Sequence, residues 1–298
     1  MRNAFISTII ELAEKDERVV LLTGDLGYKI FDDFAKRFSK RFYNVGIAEA
    51  NMIGLAAGLA HSGLKPYCYS IVPFATSRCC EQIRDDVCYN NKDVKIIGYG
   101  AGFTYGHNGP THHGIDDIGA LRSIPNIVIC SPSSTEETSM VIRKTYENNT
   151  PTYIRLGRAY DEKGILFNFK SDLLDVVVVT TGNIVSVAVE VKEKLESYGL
   201  RCSIFSTPFI KPLDIDNLDE VVARTNCVAS LEEHNIVGGF GSAIAEYLYE
   251  TQANVRFKRF GIKDQFYHVS GDQQYLRNLA GLNADVIVED ILFMLGIE

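Results

Sequence analysis

The chain has 298 residues and a formal net charge of -8, with 46% apolar and 23% charged residues. This length fits one large or two ordinary domains, and the balance is typical of a soluble globular protein. No stretch reaches the roughly 18 uninterrupted apolar residues of a membrane helix, and the start lacks a signal peptide's apolar core, so we expect a cytoplasmic location. The acidic balance and the lack of a basic run argue against nucleic acid as a partner.

The chain has seven cysteines, an odd number, and no Cys-x-x-Cys pair. Such a set is typical of reduced, mostly buried thiols in an intracellular protein, and it does not suggest zinc. We therefore expect no metal held by this chain alone. The cysteines are Cys68, Cys79, Cys80, Cys88, Cys130, Cys202 and Cys227.

The first half of the chain alternates helices with buried strands. Apolar spacing predicts a helix over 4–15, and the apolar run 19–22 predicts a strand buried on both faces of a parallel sheet. A loop with Asp25 follows this strand, at the end where ligands of open α/β sheets gather. Further strands are expected at 65–70, 94–98, 127–130 and 151–156, and helices near 31–39, 75–89 and 134–147.

The second half repeats this alternation. Strands are expected at 176–179, 202–205, 227–231 and 255–260, and helices at 184–198 and 240–250. Strands that alternate with helices predict parallel sheets joined by right-handed crossovers. The predicted fold is therefore α/β, with two tandem parallel-sheet domains. We place them at residues 1–160 and 175–298, with 161–174 as a linker.

The stretch 43–60 carries a single carboxylate in apolar surroundings. A short β run ends at Val45, Gly46 breaks it, and a helix that is apolar on nearly every face starts near Ala48. Glu49 lies in the first turn of this helix, where the helix dipole favours a negative charge. Two interpretations stay open: Glu49 satisfies backbone donors at the helix start, or it is a functional carboxylate.

A long loop, 99–114, has five glycines, one proline and three histidines. A loop of this length without structure of its own is usually functional. His112, within Gly-Pro-Thr-His, could exchange protons near neutral pH. The alternative is a histidine that ties the loop together, a role that suits His113 and His107 better.

Three motifs together resemble the transketolase superfamily of thiamine diphosphate enzymes: Gly-Ile-Ala-Glu at 46–49, Gly-Pro-Thr-His at 109–112, and Arg-x-x-Pro-Asn at 122–126. The resemblance covers nearly the whole chain, but only the pyrimidine-binding and C-terminal domains. It implies a shared thiamine diphosphate. The Gly-Asp-Gly signature of the diphosphate-binding domain is missing from the sequence, so a separate N-terminal subunit is expected to hold the diphosphate and Mg²⁺.

The resemblance also assigns roles to single residues. Glu49 would bond the aminopyrimidine, Phe74 would stack on it, and Asp25 would lie near the cofactor and the dimer seam. His112 would face the sugar substrate, and Arg2 and Arg158 would grip its phosphate. Without the resemblance, Phe74 is a core residue and each arginine is a surface charge.

Three positions depart from the family pattern, each at a place where the resemblance implies contact with the substrate. Asn108 stands for the usual Asp, Gly100 for a substrate-facing His, and Lys29 for a phosphate-contacting Ser. The expected substrate site therefore includes Lys29 and Asn108, and the standard pentose phosphates are in doubt.

The resemblance implies that the chain is the C-terminal subunit of a split enzyme that transfers a two-carbon ketol unit between sugar phosphates. Glu49 would share a proton with the pyrimidine N1′ and His112 would act on the substrate. The alternatives are a decarboxylating carboligase resembling deoxyxylulose-phosphate synthase and a non-catalytic assembly subunit. We expect a homodimer formed through the 48–62 helix, and an α₂β₂ heterotetramer with the partner.

Overall fold

A seven-stranded sheet organises the first half of the chain, in a computed structural model that describes residues 1–161 and 173–297. Six of its strands are β1 (Val19–Thr23), β2 (Phe42–Asn44), β3 (Lys65–Ile71), β4 (Lys95–Tyr99), β5 (Val128–Cys130) and β6 (Thr152–Leu156). They run parallel in the order β2-β1-β3-β4-β6-β5. The helices around this sheet are α1 (Arg2–Lys15), α2 (Asp32–Arg37), α3 (Glu49–His61), α4 (Val72–Ala75), α5 (Cys80–Gln82), α6 (Asp117–Arg122) and α7 (Thr135–Glu147), with a π-helix at Ile83–Tyr89.

A second, four-stranded parallel sheet follows, in the order β11-β10-β7-β8. The strands of this half are β7 (Val176–Thr180), β8 (Cys202–Ser206), β9 (Phe209–Lys211), β10 (Cys227–Asn235) and β11 (Arg256–Ile262). Its helices are α8 (Val185–Ser197), α9 (Ile215–Val222), α10 (Phe240–Glu250), α11 (Gln273–Leu279) and α12 (Ala284–Leu295). The predicted pair of α/β units is confirmed.

The prediction of two purely parallel sheets needs one correction. Strand β9 leaves the second half and pairs antiparallel with β5, so the seven-stranded sheet is mixed. The Lys211 ammonium donates to the carbonyls of Arg122 and Ile124, at 3.0 and 2.5 Å, and so anchors this edge. A three-residue strand is too short to show the period-2 pattern by which strands are recognised.

Buried apolar strands explain why helices cover both faces of each sheet. All residues of β1, β3, β4, β6 and β7 are buried, which is the pattern of a sheet with helices on both sides. Loops at the carboxyl ends of β1, β3, β4 and β6 therefore emerge at one edge, which is the edge that carries the candidate site.

The predicted helix over 75–89 is broken in the structure. It begins earlier, as α4, and a 3₁₀ turn at Ser77–Cys79 separates α4 from α5 and the π-helix. Thr76 has φ -118° and ψ -80°, which are not helical angles, and its hydroxyl donates to the Val72 carbonyl at 2.7 Å. The break puts Phe74 and Arg78 in different turns.

The predicted linker at 161–174 falls mostly outside the described residues. Of its described residues, Asp161 accepts hydrogen bonds from the backbone and hydroxyl of Thr135, both at 2.8 Å, at the start of α7. Across residues 1–161 and 173–297, no helix is both long and apolar enough to cross a bilayer. All seven cysteines are free thiols, and Cys80 is the exposed one among them.

Candidate active site

Glu49 lies where three strand ends meet. The chain leaves β2, turns at Gly46 with φ +76°, and enters α3 at Glu49, whose side chain points inward and is 1% exposed. The loop after β1 passes directly beside it. A Cβ on Gly24 would lie 3.1 Å from Glu49 Oε1, so the missing side chain at 24 leaves room for the carboxylate.

Two protein donors reach this carboxylate. The Ser70 hydroxyl, on β3, donates to Oε1 at 2.9 Å, and Arg78 Nη1 lies 2.5 Å from Oε2. Ser70 is fully buried, whereas the Arg78 side chain is 42% exposed. The Arg78 guanidinium also lies over the Phe74 ring, 4.2 Å from its centre. The buried carboxylate is therefore held by one fixed hydroxyl donor and one half-exposed cation.

Phe74 connects this carboxylate to the glycine-rich loop. The Phe74 ring meets the His112 imidazole edge-on, with their centres 5.1 Å apart. Thr111 Oγ1 lies 2.9 Å from His112 Nδ1, so Nε2 is the ring nitrogen left for a ligand. His112 ends a 3₁₀ turn, Pro110–His112, and is partly exposed. The structure thus brings Glu49, Phe74 and His112 together.

The side chains from Glu49 through Phe74 to His112 form a row, and two tyrosines extend this row towards Arg2. Tyr105 lies between His112 and Tyr99, with ring centres 6.5 and 5.7 Å apart. The Arg2 guanidinium lies over the Tyr99 ring, 4.6 Å from its centre. Arg158 is exposed and follows β6. The backbone N–H of the preceding Gly157 contacts the Met1 sulfur at 3.2 Å, which places both arginines at one edge of the sheet.

Asp25 is fixed in the loop next to Glu49. It has φ +58°, and it exchanges two hydrogen bonds with Asn44: its N–H donates at 3.1 Å and its carboxylate accepts at 3.0 Å. Lys29 and Asn108 are exposed, and no contact between described residues joins either side chain to the row from Glu49 to Arg2. The predicted substrate roles of these two residues remain predictions.

A second buried cluster, formed by Glu233, Arg277 and Arg155, anchors the 101–115 loop to strands β6 and β10. Glu233, on β10, accepts a hydrogen bond from the Phe103 N–H at 2.8 Å and pairs with Arg277 at 2.5 Å. Arg155, on β6, donates to the carbonyls of Gly114 and Glu233 at 2.5 and 3.0 Å. Both ends of the loop are thereby attached to the second half of the protein.

His113 and His107 differ in burial, and the sequence does not reveal this difference. His113 is buried and packs edge-on against Phe103, 5.1 Å between ring centres, and burial lowers the pKa of its imidazole. His107 is exposed. The predicted structural role thus suits His113, through packing.

Sequence reasoning missed four residues of the row. Arg78 follows Phe74 by four positions, a helical spacing that could have suggested it, but the helix is broken between them. Ser70 was counted only as part of a strand, and Tyr99 and Tyr105 only as loop. These four are Ser70, Arg78, Tyr99 and Tyr105.

Two family descriptions match the chain: "Transketolase, pyrimidine binding domain" over residues 1–160 and "Transketolase, C-terminal domain" over residues 168–287. The chain belongs to the transketolase family. It is 39% identical to a subunit of the apulose-4-phosphate transketolase of Actinobacillus succinogenes, over 86% of this chain and 85% of that protein. It is 34% identical to the 6-deoxy-6-sulfo-D-fructose transketolase subunit SqwH of a Clostridium species, over 97% and 92%.

A solved structure described as a split gene transketolase, inactive beta4 tetramer, matches with a TM-score of 0.86 and 31% identity, over 99% of this chain and 98% of that one. A 1-deoxy-D-xylulose-5-phosphate synthase of Oleidesulfovibrio alaskensis is 34% identical, but the chain spans only 48% of its length. The chain is thus a transketolase-type subunit of a split, heteromeric transferase, which confirms the interpretation drawn from the motifs.

The family implies thiamine diphosphate, and the residues present fit its pyrimidine half. Glu49 offers a buried carboxylate in a space kept open by Gly24, and Phe74 offers a ring beside it. No group of three His, Cys, Asp or Glu side chains that could hold a metal ion occurs in the described ranges.

Proposed function

We propose that this chain, with a separate N-terminal subunit, transfers a two-carbon ketol unit between sugar phosphates. The observation that supports this function best is the buried Glu49 carboxylate, in one continuous row with Phe74 and His112. A carboxylate that has only one fixed donor and one half-exposed cation can accept a further hydrogen bond without dismantling the core.

The roles of the chain's own residues follow from this arrangement. Thiamine diphosphate, when bound, supplies an electron sink that a protein side chain cannot provide. Glu49 would hold the cofactor's pyrimidine N1′ through a shared proton on its carboxylate, and Phe74 would orient the pyrimidine ring by stacking. His112 Nε2 would donate a proton to a substrate oxygen. Arg2 and Arg158 would bind the substrate phosphate, because a guanidinium fork matches phosphate geometry.

The remaining assignments concern the outer parts of the site. Asp25 would contact the cofactor from the loop beside Glu49, and Lys29 and Asn108 would contact the substrate. The partner subunit would hold the diphosphate with Mg²⁺, and the enzyme would act in the cytoplasm. We keep the domain boundaries at 1–160 and 175–298, with 161–174 between them.

Assembly is proposed through the outer face of α3. Leu55, on this face, is 40% exposed, and Ile47, just before the helix, is 77% exposed. Exposed apolar side chains beside an incomplete cofactor site support a homodimer, and an α₂β₂ heterotetramer with the partner. Light scattering of the chain alone tests this arrangement, and a stable monomer at micromolar concentration would contradict it.

The function is tested by purifying the complex with an N-terminal, diphosphate-binding transketolase subunit and measuring ketol transfer with thiamine diphosphate and Mg²⁺. Glu49→Gln should reduce turnover by at least about a hundredfold, because Gln cannot share a proton as a carboxylate does. Glu11→Gln, an exposed glutamate on α1, serves as the matched control. Activity of Glu49→Gln within a few-fold of wild type would contradict the proposal.

The same preparation separates the two alternatives. Release of CO₂ from pyruvate by the wild-type complex would favour the carboligase. No binding of thiamine diphosphate to the complex would favour a non-catalytic subunit.

A further inference from the structure

Tyr105 occupies a position in the row that no motif assigns. Its ring is half-buried and lies edge-on to both of its neighbours, His112 on one side and Tyr99 on the other. Arg2 lies over the ring of the buried Tyr99. The row therefore leads in steps of 4.6–6.5 Å from an imidazole, past two phenol rings, to a guanidinium.

The backbone at Gly100 shows that this arrangement excludes another side chain. Gly100 has φ +106°, a conformation that residues with a side chain rarely adopt. A Cβ built there would lie 2.5 Å from Tyr105 Cδ2, well inside van der Waals contact. The Tyr105 ring thus fills the space in which a side chain at 100 would lie.

The chemistry of this surface differs from that of a hydrogen-bonding site. An aromatic face binds C–H groups and excludes water, whereas a phenol hydroxyl at its rim can donate or accept one hydrogen bond. Burial raises the pKa of Tyr105, so this hydroxyl stays neutral near pH 7. A guanidinium at the end of such a surface suits an anionic group, phosphate above all.

We propose that Tyr105, backed by the buried Tyr99, forms the wall on which the substrate lies, and that it selects a sugar phosphate long enough to extend from His112 to Arg2. The C–H face of the sugar chain would pack on Tyr105, and its phosphate would meet Arg2. This proposal rests on the proposed ketol transfer, and it names Tyr105 as a specificity residue for that reaction.

A pair of donor substrates of different length tests the wall in the assembled complex. Hydroxypyruvate carries the ketol unit but is too short to reach beyond His112, whereas fructose 6-phosphate would extend along the whole row. Tyr105→Ala should raise KM for fructose 6-phosphate about tenfold, since it removes a stacking surface, and should change kcat/KM for hydroxypyruvate less than about threefold. Tyr105→Phe should keep both values close to wild type.

Tyr249→Ala serves as the matched control, because Tyr249 is an 86% exposed tyrosine on α10. Equal losses for both donors in Tyr105→Ala would mean that Tyr105 only supports the fold, and would overturn the proposal. Unchanged KM for both donors would overturn it as well. Transfer by the wild-type complex from hydroxypyruvate but not from fructose 6-phosphate would also overturn the proposal, whereas transfer from neither donor would contradict the ketol transfer on which it rests.

Discussion

Two buried glutamates show how differently the same side chain can be used. Glu49 is 1% exposed and Glu233 is 2% exposed. Around Glu233, the Phe103 N–H, the Gln273 amide and the Arg277 guanidinium all donate, and Arg277 is itself buried.

Glu49 has instead one fixed hydroxyl donor and Arg78, a cation on the half-exposed side of the site. Burial therefore does not distinguish Glu233 from Glu49, the carboxylate that we propose is functional. The number of fixed donors differs between them, and a fully satisfied carboxylate has no capacity left for a ligand.

The largest effect is expected where the Glu233 cluster is opened. Arg277→Ala removes the charged partner of a buried carboxylate and should lower the free energy of unfolding by about 3–5 kcal/mol. Urea unfolding of the purified chain measures this loss. Arg143→Ala, which breaks an exposed pair with Glu11, should leave the curve nearly unchanged, and equal losses in the two variants would contradict the distinction.

A substitution at Gly102, in the loop that packs against Glu233, tests the same cluster. It has φ +60°, and a Cβ there would lie 2.4 Å from the Glu233 Cδ atom. Gly102→Ala should therefore cost about 2–4 kcal/mol, from backbone strain together with displacement of the carboxylate. Gly199→Ala is the control, since Gly199 has φ +80° with open space around it and reports the strain alone. Equal costs would show that Glu233 can move freely.

Two neighbours of Glu233 should give opposite pH effects. Burial raises the pKa of Glu232 to about 7 and lowers the pKa of His234 to about 4. The folded state thus keeps a proton on Glu232 that the unfolded chain releases above the ordinary pKa of 4.5. Glu232 therefore lowers the free energy of unfolding as the pH rises from about 4.5 to 7. His234 binds a proton in the unfolded chain below its ordinary pKa of 6.5, but in the folded state only below about 4. The free energy of unfolding therefore increases as the pH rises from about 4 to 6.5.

The two effects oppose each other in the wild-type chain, and single variants should separate them. Glu232→Gln should leave stability rising between pH 4.5 and 6.5, and His234→Gln should leave it falling, each by about 2–3 kcal/mol. Thermal unfolding at several pH values measures both slopes. Slopes of the same sign in the two variants would contradict the assignment.

The sequence predicts those parts of the molecule whose structure depends on residues close together along the chain. Apolar runs at 19–22 and 176–179 mark strands that are fully buried, and the break at Gly46 marks the start of α3. Glu49 and His112 are recognisable because their motifs are continuous. The resemblance found in these motifs matches the family that the comparisons identify.

Contacts between distant segments are not predictable in this way. Glu233 meets Phe103 across 130 positions and Arg277 across 44, and no local pattern links these residues. The antiparallel edge strand β9 is three residues long, and the break at Thr76 contradicts an apparently helical stretch. In each case tertiary contacts decide the local structure, so only the folded chain shows Arg78 beside Glu49.

The smallest change in stability is expected at Glu49, the glutamate for which we propose a functional role. Glu49→Gln keeps an oxygen that can accept from Ser70 and loses only the ion pair with Arg78, which is open to solvent on one side. The free energy of unfolding should therefore change by no more than about 1 kcal/mol. The corresponding change at the structural glutamate, Glu233→Gln, places an amide among donors that need an acceptor and should cost several times more. Urea unfolding of the two variants side by side gives the comparison, and a larger loss for Glu49→Gln would mean that Glu49 is the structural residue of the pair.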